Sequence, residues 1–150
     1  MRAIVQRVSR ASVTVEGQMV SQIGTGLLIL LGVEELDTET DIEWLSRKIA
    51  NLRIFGDANG AMNHSLLEIG GGAIVVSQFT LHASIKKGNR PSYLKAAKPM
   101  VAEPLYKAFV QRMEKEMGQK VGTGIFGADM KVDLLNDGPV TIFFDTKNKE

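Results

Sequence analysis

Two apolar runs constrain this chain more than anything else in it. Leu27-Leu28-Ile29-Leu30-Leu31-Gly32-Val33 and Ala73-Ile74-Val75-Val76 contain no polar side chain, and glycines open both, Gly24 and Gly26 for the first, Gly70-Gly71-Gly72 for the second. A strand with one wet face alternates polar and apolar residues. A run without alternation is a strand buried in a sheet, and the longer one is typical of a central strand covered on both sides. The second run then turns polar, with Ser77, Gln78 and Thr80 close together. Hydroxyls and a carboxamide at the end of a buried strand must bond to neighbouring backbone or line a pocket, because leaving one unsatisfied costs roughly 1–3 kcal/mol. The residues alone leave both readings open.

The opening is β-rich. Residues 2–9 and 11–16 read as two strands or one long bulged strand, Gly17-Gln18 as a turn, and Met19 to Ile23 as a returning partner. A helix is predicted over 38–51, capped by Asp37 or Thr38, with Ile42, Leu45, Ile49 and Leu52 at helical spacing. Its acids Glu39, Asp41 and Glu43 suit the positive end of the helix dipole, which explains the cluster without a metal. Arg53-Ile54-Phe55 and Ala61-Met62 read as a small hairpin, with His64 in the loop beyond. A second helix is predicted with Pro104 in its first turn after Glu103, an apolar face of Leu105, Phe109, Val110 and Met113, and a stop at Gly118. Val121 to Phe126, Met130 to Leu135 and Val140 to Phe144 read as strands, with Asn136-Asp137-Gly138-Pro139 as a turn between the last two. The tail from Lys147 to Glu150 is polar and expected to fray.

Composition removes several function classes. A chain of 150 residues with 44% hydrophobic residues fits one domain, 1–150. Without cysteine there are no disulfides, thiolate metal sites or cysteine nucleophiles, and only His64 and His82 remain as histidine bases or ligands. There is no GxSxG elbow, Walker loop or HExxH pair. Gly122 to Gly127 matches G-x-G-x-x-G, yet it follows a helix and lies among strands, so it lacks the strand-to-helix setting of a dinucleotide site. The N-terminal segment has no long apolar stretch and no run is long enough to span a bilayer, which leaves a cytoplasmic protein as the expectation. A net charge of +1 argues against a large nonspecific nucleic-acid surface. Lys86, Lys87, Arg90, Lys95 and Lys98 form one acid-free segment, and Arg2, Arg7 and Arg10 another; each is a solvated face or a place for a few phosphates. A hydroxyl nucleophile at Ser77 or Thr80 needs a base, and His82 shares a face with Thr80 if residues 77–82 stay extended. Nothing in these motifs calls for a cofactor or a metal.

Four ordered segments carry a resemblance. Ser77-Gln78-Phe79-Thr80-Leu81, Lys87 to Tyr93, Thr123 to Met130 and Asn136 to Thr141 together resemble the D-aminoacyl-tRNA deacylase (D-tyrosyl-tRNA deacylase) family, and the similarity covers essentially the whole chain. Tyr93 stands where phenylalanine is expected. The resemblance implies an α/β fold, a layered β/β/α domain with mixed sheets and two main helices. It implies hydrolysis of the ester that joins a D-amino acid, or glycine, to the 3′ acceptor end of tRNA, with no cofactor. It further implies a homodimer with the active site at the subunit interface. Ser77, Gln78, Phe79 and Thr80 would form the catalytic wall, and Gly138-Pro139, cis in the family, would reach in from the partner and exclude L side chains. Lys86, Lys87 and Arg90 would guide the tRNA. Two mechanisms stay open, attack by Thr80 or attack by water assisted by the ribose 2′-hydroxyl. Two other classes stay in view: a dimeric RNA-binding module, and an amidohydrolase of small D-amino acid esters or amides.

Overall fold

The computed structural model describes residues 1–150. A single 14-residue strand, β1 (Arg2–Val15), realises the long bulged alternative and acts as the spine of the sheet. A tight turn with Glu16 and Gly17 both at positive φ leads into β2 (Gln18–Ile23), which pairs antiparallel with the second half of β1. The first half of β1 pairs antiparallel with β3 (Gly26–Gly32), the longer apolar run.

Helix α1 (Glu39–Ala50) starts where its cap signals place it, with Thr38 and Asp41 forming a capping box. The small hairpin of β4 (Phe55–Gly56) and β5 (Met62–His64) lies slightly later than expected and takes His64 into a strand. A one-turn helix α2 (Leu66–Ile69) ends at Gly70 and delivers the chain to β6 (Gly72–Ser77), parallel to β3. Helix α3 (Pro99–Met117) begins five residues before the predicted start, so Pro104 lies inside it. Pro99 supplies the N-terminal proline instead, and Pro104 removes only a bond at the second turn. Gly118 closes the helix in the left-handed conformation, as read from the sequence.

Beyond α3, the strand expected over 121–126 shrinks to β7 (Gly122–Thr123), parallel to β6. The two strands expected at the end are one, β8 (Lys131–Asp145), antiparallel to β1 along its length. The predicted turn at 136–139 is instead an excursion within that strand. Gln6 pairs with Thr141 and Val8 with Asn136, so residues 137–140 all stand opposite Arg7. Asn136 stabilises the excursion by donating Nδ2 to the carbonyls of Arg7 at 3.0 Å and Val140 at 2.9 Å.

The layers explain the unalternating runs. Leu27, Ile29, Leu31, Ala73 and Val75 face the core shared with Ile42, Leu45 and Ile49 of α1 and Phe109 and Met113 of α3. Leu28, Ile74 and Val76 face the other way, against Val8, Ala11 and Val13 of β1, with partly buried Val132 and Leu134 of β8. Strands β3 and β6 are therefore covered by helices on one side and by the folded-over sheet on the other, a mixed α/β arrangement with two long helices.

Candidate active site

The buried strands β3 and β6 end together, and the chain changes conformation there. The Gln78 amide still donates to the Leu31 carbonyl at 2.7 Å, continuing the ladder by one bond. Phe79–His82 then wind into a 3-10 turn rather than staying extended. The turn packs directly on Gly32: a Cβ there would lie 3.0 Å from the Gln78 carbonyl oxygen, the Leu81 Cβ and the His82 ring. Arg2 adds an anchor by donating Nη1 to the Leu81 carbonyl at 3.0 Å while its Nε bonds Asp145 at 2.9 Å.

Beside this turn opens a cavity of about 590 Å³. Ser77, Gln78 and Phe79 line one wall, and Phe126 to Met130, arriving from β7, line another. Its size lies within the usual range for small-molecule sites, and most of the lining is apolar with a few polar groups. Phe79 and Tyr93 meet edge to face across the mouth with ring centroids 4.9 Å apart. Thr80 does not line the cavity. Its Oγ1 accepts a hydrogen bond from Gln78 Nε2 at 2.5 Å, so the two side chains form one unit. His82 does not pair with Thr80: the ring is buried and its Nε2 has no partner. The turn's own backbone bonding starts with the Leu81 amide to the Gln78 carbonyl, so the Phe79 and Thr80 amides precede it and are not used by it.

Tyr106 is a site residue that sequence reading passes over as part of an apolar helix face. It lines the cavity from α3 and donates its hydroxyl to the Val75 carbonyl at 2.7 Å. Burial pushes that hydroxyl up to about 12, against the lowering effect of the Gly124 backbone bond. The hydroxyl thus ties α3 to β6 at the cavity wall.

Lys86, Lys87 and Arg90 are exposed on a loop whose ends are clamped by the Ser84–Ser92 backbone pair, next to the cavity mouth at Tyr93. Gly138-Pro139 is a cis peptide, but in one chain it is not brought to the Ser77–Phe79 wall. It borders a separate open depression together with Arg7, Phe55 and Met62. Arg7 fixes it there, donating Nε to the Asp137 carbonyl at 3.0 Å and Nη1 to the Ile54 carbonyl at 2.6 Å. Leu135 and Phe143, 53% and 58% exposed, lie on either side of the excursion along β8.

The model of the family described as D-Tyr-tRNA(Tyr) deacylase matches residues 4–145. Proteins named D-aminoacyl-tRNA deacylase from Bacteroides thetaiotaomicron and Flavobacterium johnsoniae are each 65% identical over 150 residues, covering 100% of both chains in each pair. Among solved structures, one titled c-Myc DNA Unwinding Element Binding Protein superposes with a TM-score of 0.91 at 42% identity, covering 97% of this chain and 99% of that one. Another, titled as a probable eukaryotic D-amino acid tRNA deacylase, shares the fold at a TM-score of 0.82 and 17% identity, covering 95% of this chain and 97% of its own. With motifs, fold and full-length similarity in agreement, this chain belongs to the D-Tyr-tRNA(Tyr) deacylase family.

Proposed function

We propose that this protein hydrolyses the ester of D-aminoacyl-tRNA, and of glycyl-tRNA, and so serves as a chiral proofreader of translation in the cytoplasm. The observation that carries the reading is the cavity walled by Ser77, Gln78 and Phe79 at the shared end of two buried strands. It lies in a chain 65% identical along its whole length to proteins named for this activity. An aminoacyl ester is already activated. Orientation and donors to the developing oxyanion then supply most of what hydrolysis needs. The Phe79 and Thr80 amides are the available donors, at the start of a turn whose internal bonds begin after them. Thr80 has Gln78 as its partner and no base beside it, which favours attack by water assisted by the ribose 2′-hydroxyl over attack by Thr80.

The assembly in this reading is a homodimer. Gly138-Pro139 is exposed, lies away from its own chain's cavity, and is bracketed by exposed Leu135 and Phe143, features that suit a corner offered to a second copy. Placed at the partner's cavity, that corner excludes an L side chain by collision and leaves glycine unopposed. Lys86, Lys87 and Arg90 guide the acceptor stem by phosphate contacts.

Incubation with D- and L-aminoacyl-tRNA, with release of free amino acid followed over time, tests the reading. Release from the D form alone is expected. Release from neither form leaves an RNA-binding module, and hydrolysis of D-amino acid esters lacking RNA points to an amidohydrolase. Thr80→Ala is expected to keep most of its turnover; loss of turnover with the fold intact would establish Thr80 as the nucleophile.

A further inference from the structure

His82 is a chemical oddity in its place. It is 1% exposed, its Nε2 has no hydrogen-bond partner, and it closes the 3-10 turn that carries Phe79 and Thr80. Buried polar atoms are almost always satisfied, so an orphan beneath a candidate active site asks for an explanation. Three contacts define the seat. Gly32 lies against the ring and against Gln78 and Leu81, the first and last residues of the Gln78–Leu81 stretch, Arg2 holds the Leu81 carbonyl, and the Ala83 amide closes the turn onto the Thr80 carbonyl at 3.0 Å.

We propose that His82 is a positioning residue for the Ser77–Phe79 wall: its uncharged imidazole seats the turn on Gly32, and a proton on that ring unseats it. The proposal rests on the reading of that wall as catalytic. The charged groups around the ring oppose protonation more than they assist it. Arg2 from β1 and the Met1 ammonium are positive, while Glu34, after β3, is a carboxylate that assists protonation, 3.7 Å from an ammonium that is itself bonded to buried Asp37. Asp145, from β8, is engaged with Arg2. Burial first, and these cations next, hold the imidazole below its ordinary value of 6.5, with the Gly32 backbone and Glu34 pulling the other way. The ring is therefore neutral at physiological pH. In acid it must either stay neutral or leave its slot, because a buried cation without a bonded counter-charge is far more costly than a neutral ring. The turn moves with it, since His82 is the turn's own last residue and its ring and the Gln78 carbonyl pack on the same glycine.

The chain has only two histidines, so the His82 imidazole can be assigned and followed by NMR in the intact protein between pH 7.5 and 4.5. His82 should titrate below 6.5, and the Leu81 and Ala83 amides should lose hydrogen-exchange protection with the same midpoint. Below that midpoint kcat/KM on D-aminoacyl-tRNA should fall about tenfold per pH unit, following the neutral fraction. His82→Gln, referred to its own rate at pH 7.5, should lack that acid limb. Turn amides that stay protected while His82 titrates would overturn the proposal, and so would an unchanged acid limb in His82→Gln. Absence of hydrolysis at every pH would instead overturn the enzymatic reading, and the amide measurement would still decide the seat.

Discussion

Gly138 adopts φ +132°, and a Cβ there would lie 2.8 Å from Val140 Cγ2 and 2.9 Å from Arg7 Nη2. Only glycine occupies such a position without strain, so Gly138→Ala is expected to lower stability by about 1–3 kcal/mol, measurable by denaturant unfolding. It should also weaken discrimination against L-aminoacyl-tRNA, since Arg7 must shift to admit the methyl group. At this scale the sequence was a partial guide. Ser77 and Gln78 were recognisable because polar groups at the tip of a buried strand need partners or a pocket, Phe79 only through the family resemblance, and all three line the cavity. Thr80 and His82 were expected to share a face only if the chain stayed extended. The 3-10 turn separates them, because Gly32 lets the chain fold back onto β3. Tyr106 was invisible as a site residue, since a tyrosine on an apolar helix face reads as core until its hydroxyl is seen on the Val75 carbonyl.

Among the elements, β3, β6 and α1 follow from local pattern: apolar runs without alternation, and an apolar stripe with a capping box. The misjudged elements depend on distant partners. Continuity of β8 rests on Asn136 reaching the Arg7 carbonyl, 129 positions away in sequence, and β7 pairs with β6 over only two residues. Tyr106→Phe should destabilise the protein by about 1–3 kcal/mol by leaving the Val75 carbonyl without its partner. It should also raise KM for the aminoacyl ester, as α3 loses its tie to β6 at the cavity. The start of α1 is joined to the end of β8 by Lys147, whose Nζ donates to both Asp41 oxygens at 2.9 Å. Burial tends to raise the Asp41 carboxyl, but bonds from Thr146, Lys147 and the Thr38 backbone outweigh it and hold the group far below its ordinary value of 3.8. A depressed carboxyl stabilises the fold fully above that ordinary value, and the contribution is lost as pH falls through the folded-state value. Asp41→Asn should accordingly lower Tm at neutral pH, with the gap to the parent narrowing steadily below about pH 4.

For the whole molecule, the proposed assembly makes a direct demand on solution behaviour. Sedimentation equilibrium should give twice the chain mass. Phe143→Asp, placed on the exposed face of β8, should yield folded monomers that release no D-amino acid; a variant that stays dimeric and active would remove that face from the interface. Replacing Lys86 and Lys87 together should weaken tRNA binding and flatten its dependence on salt by about one unit of slope per lost phosphate contact. No helix is long and apolar enough to cross a membrane.

Because the Ser77–Phe79 wall and the Gly138-Pro139 corner border different hollows of one chain, injury to either would be felt at different addresses. In the proposed pair, a copy with a ruined wall silences its own chamber, whereas a copy with a ruined corner harms its companion's. Two defective copies of opposite kind, expressed together, would then rebuild one sound chamber in each mixed pair.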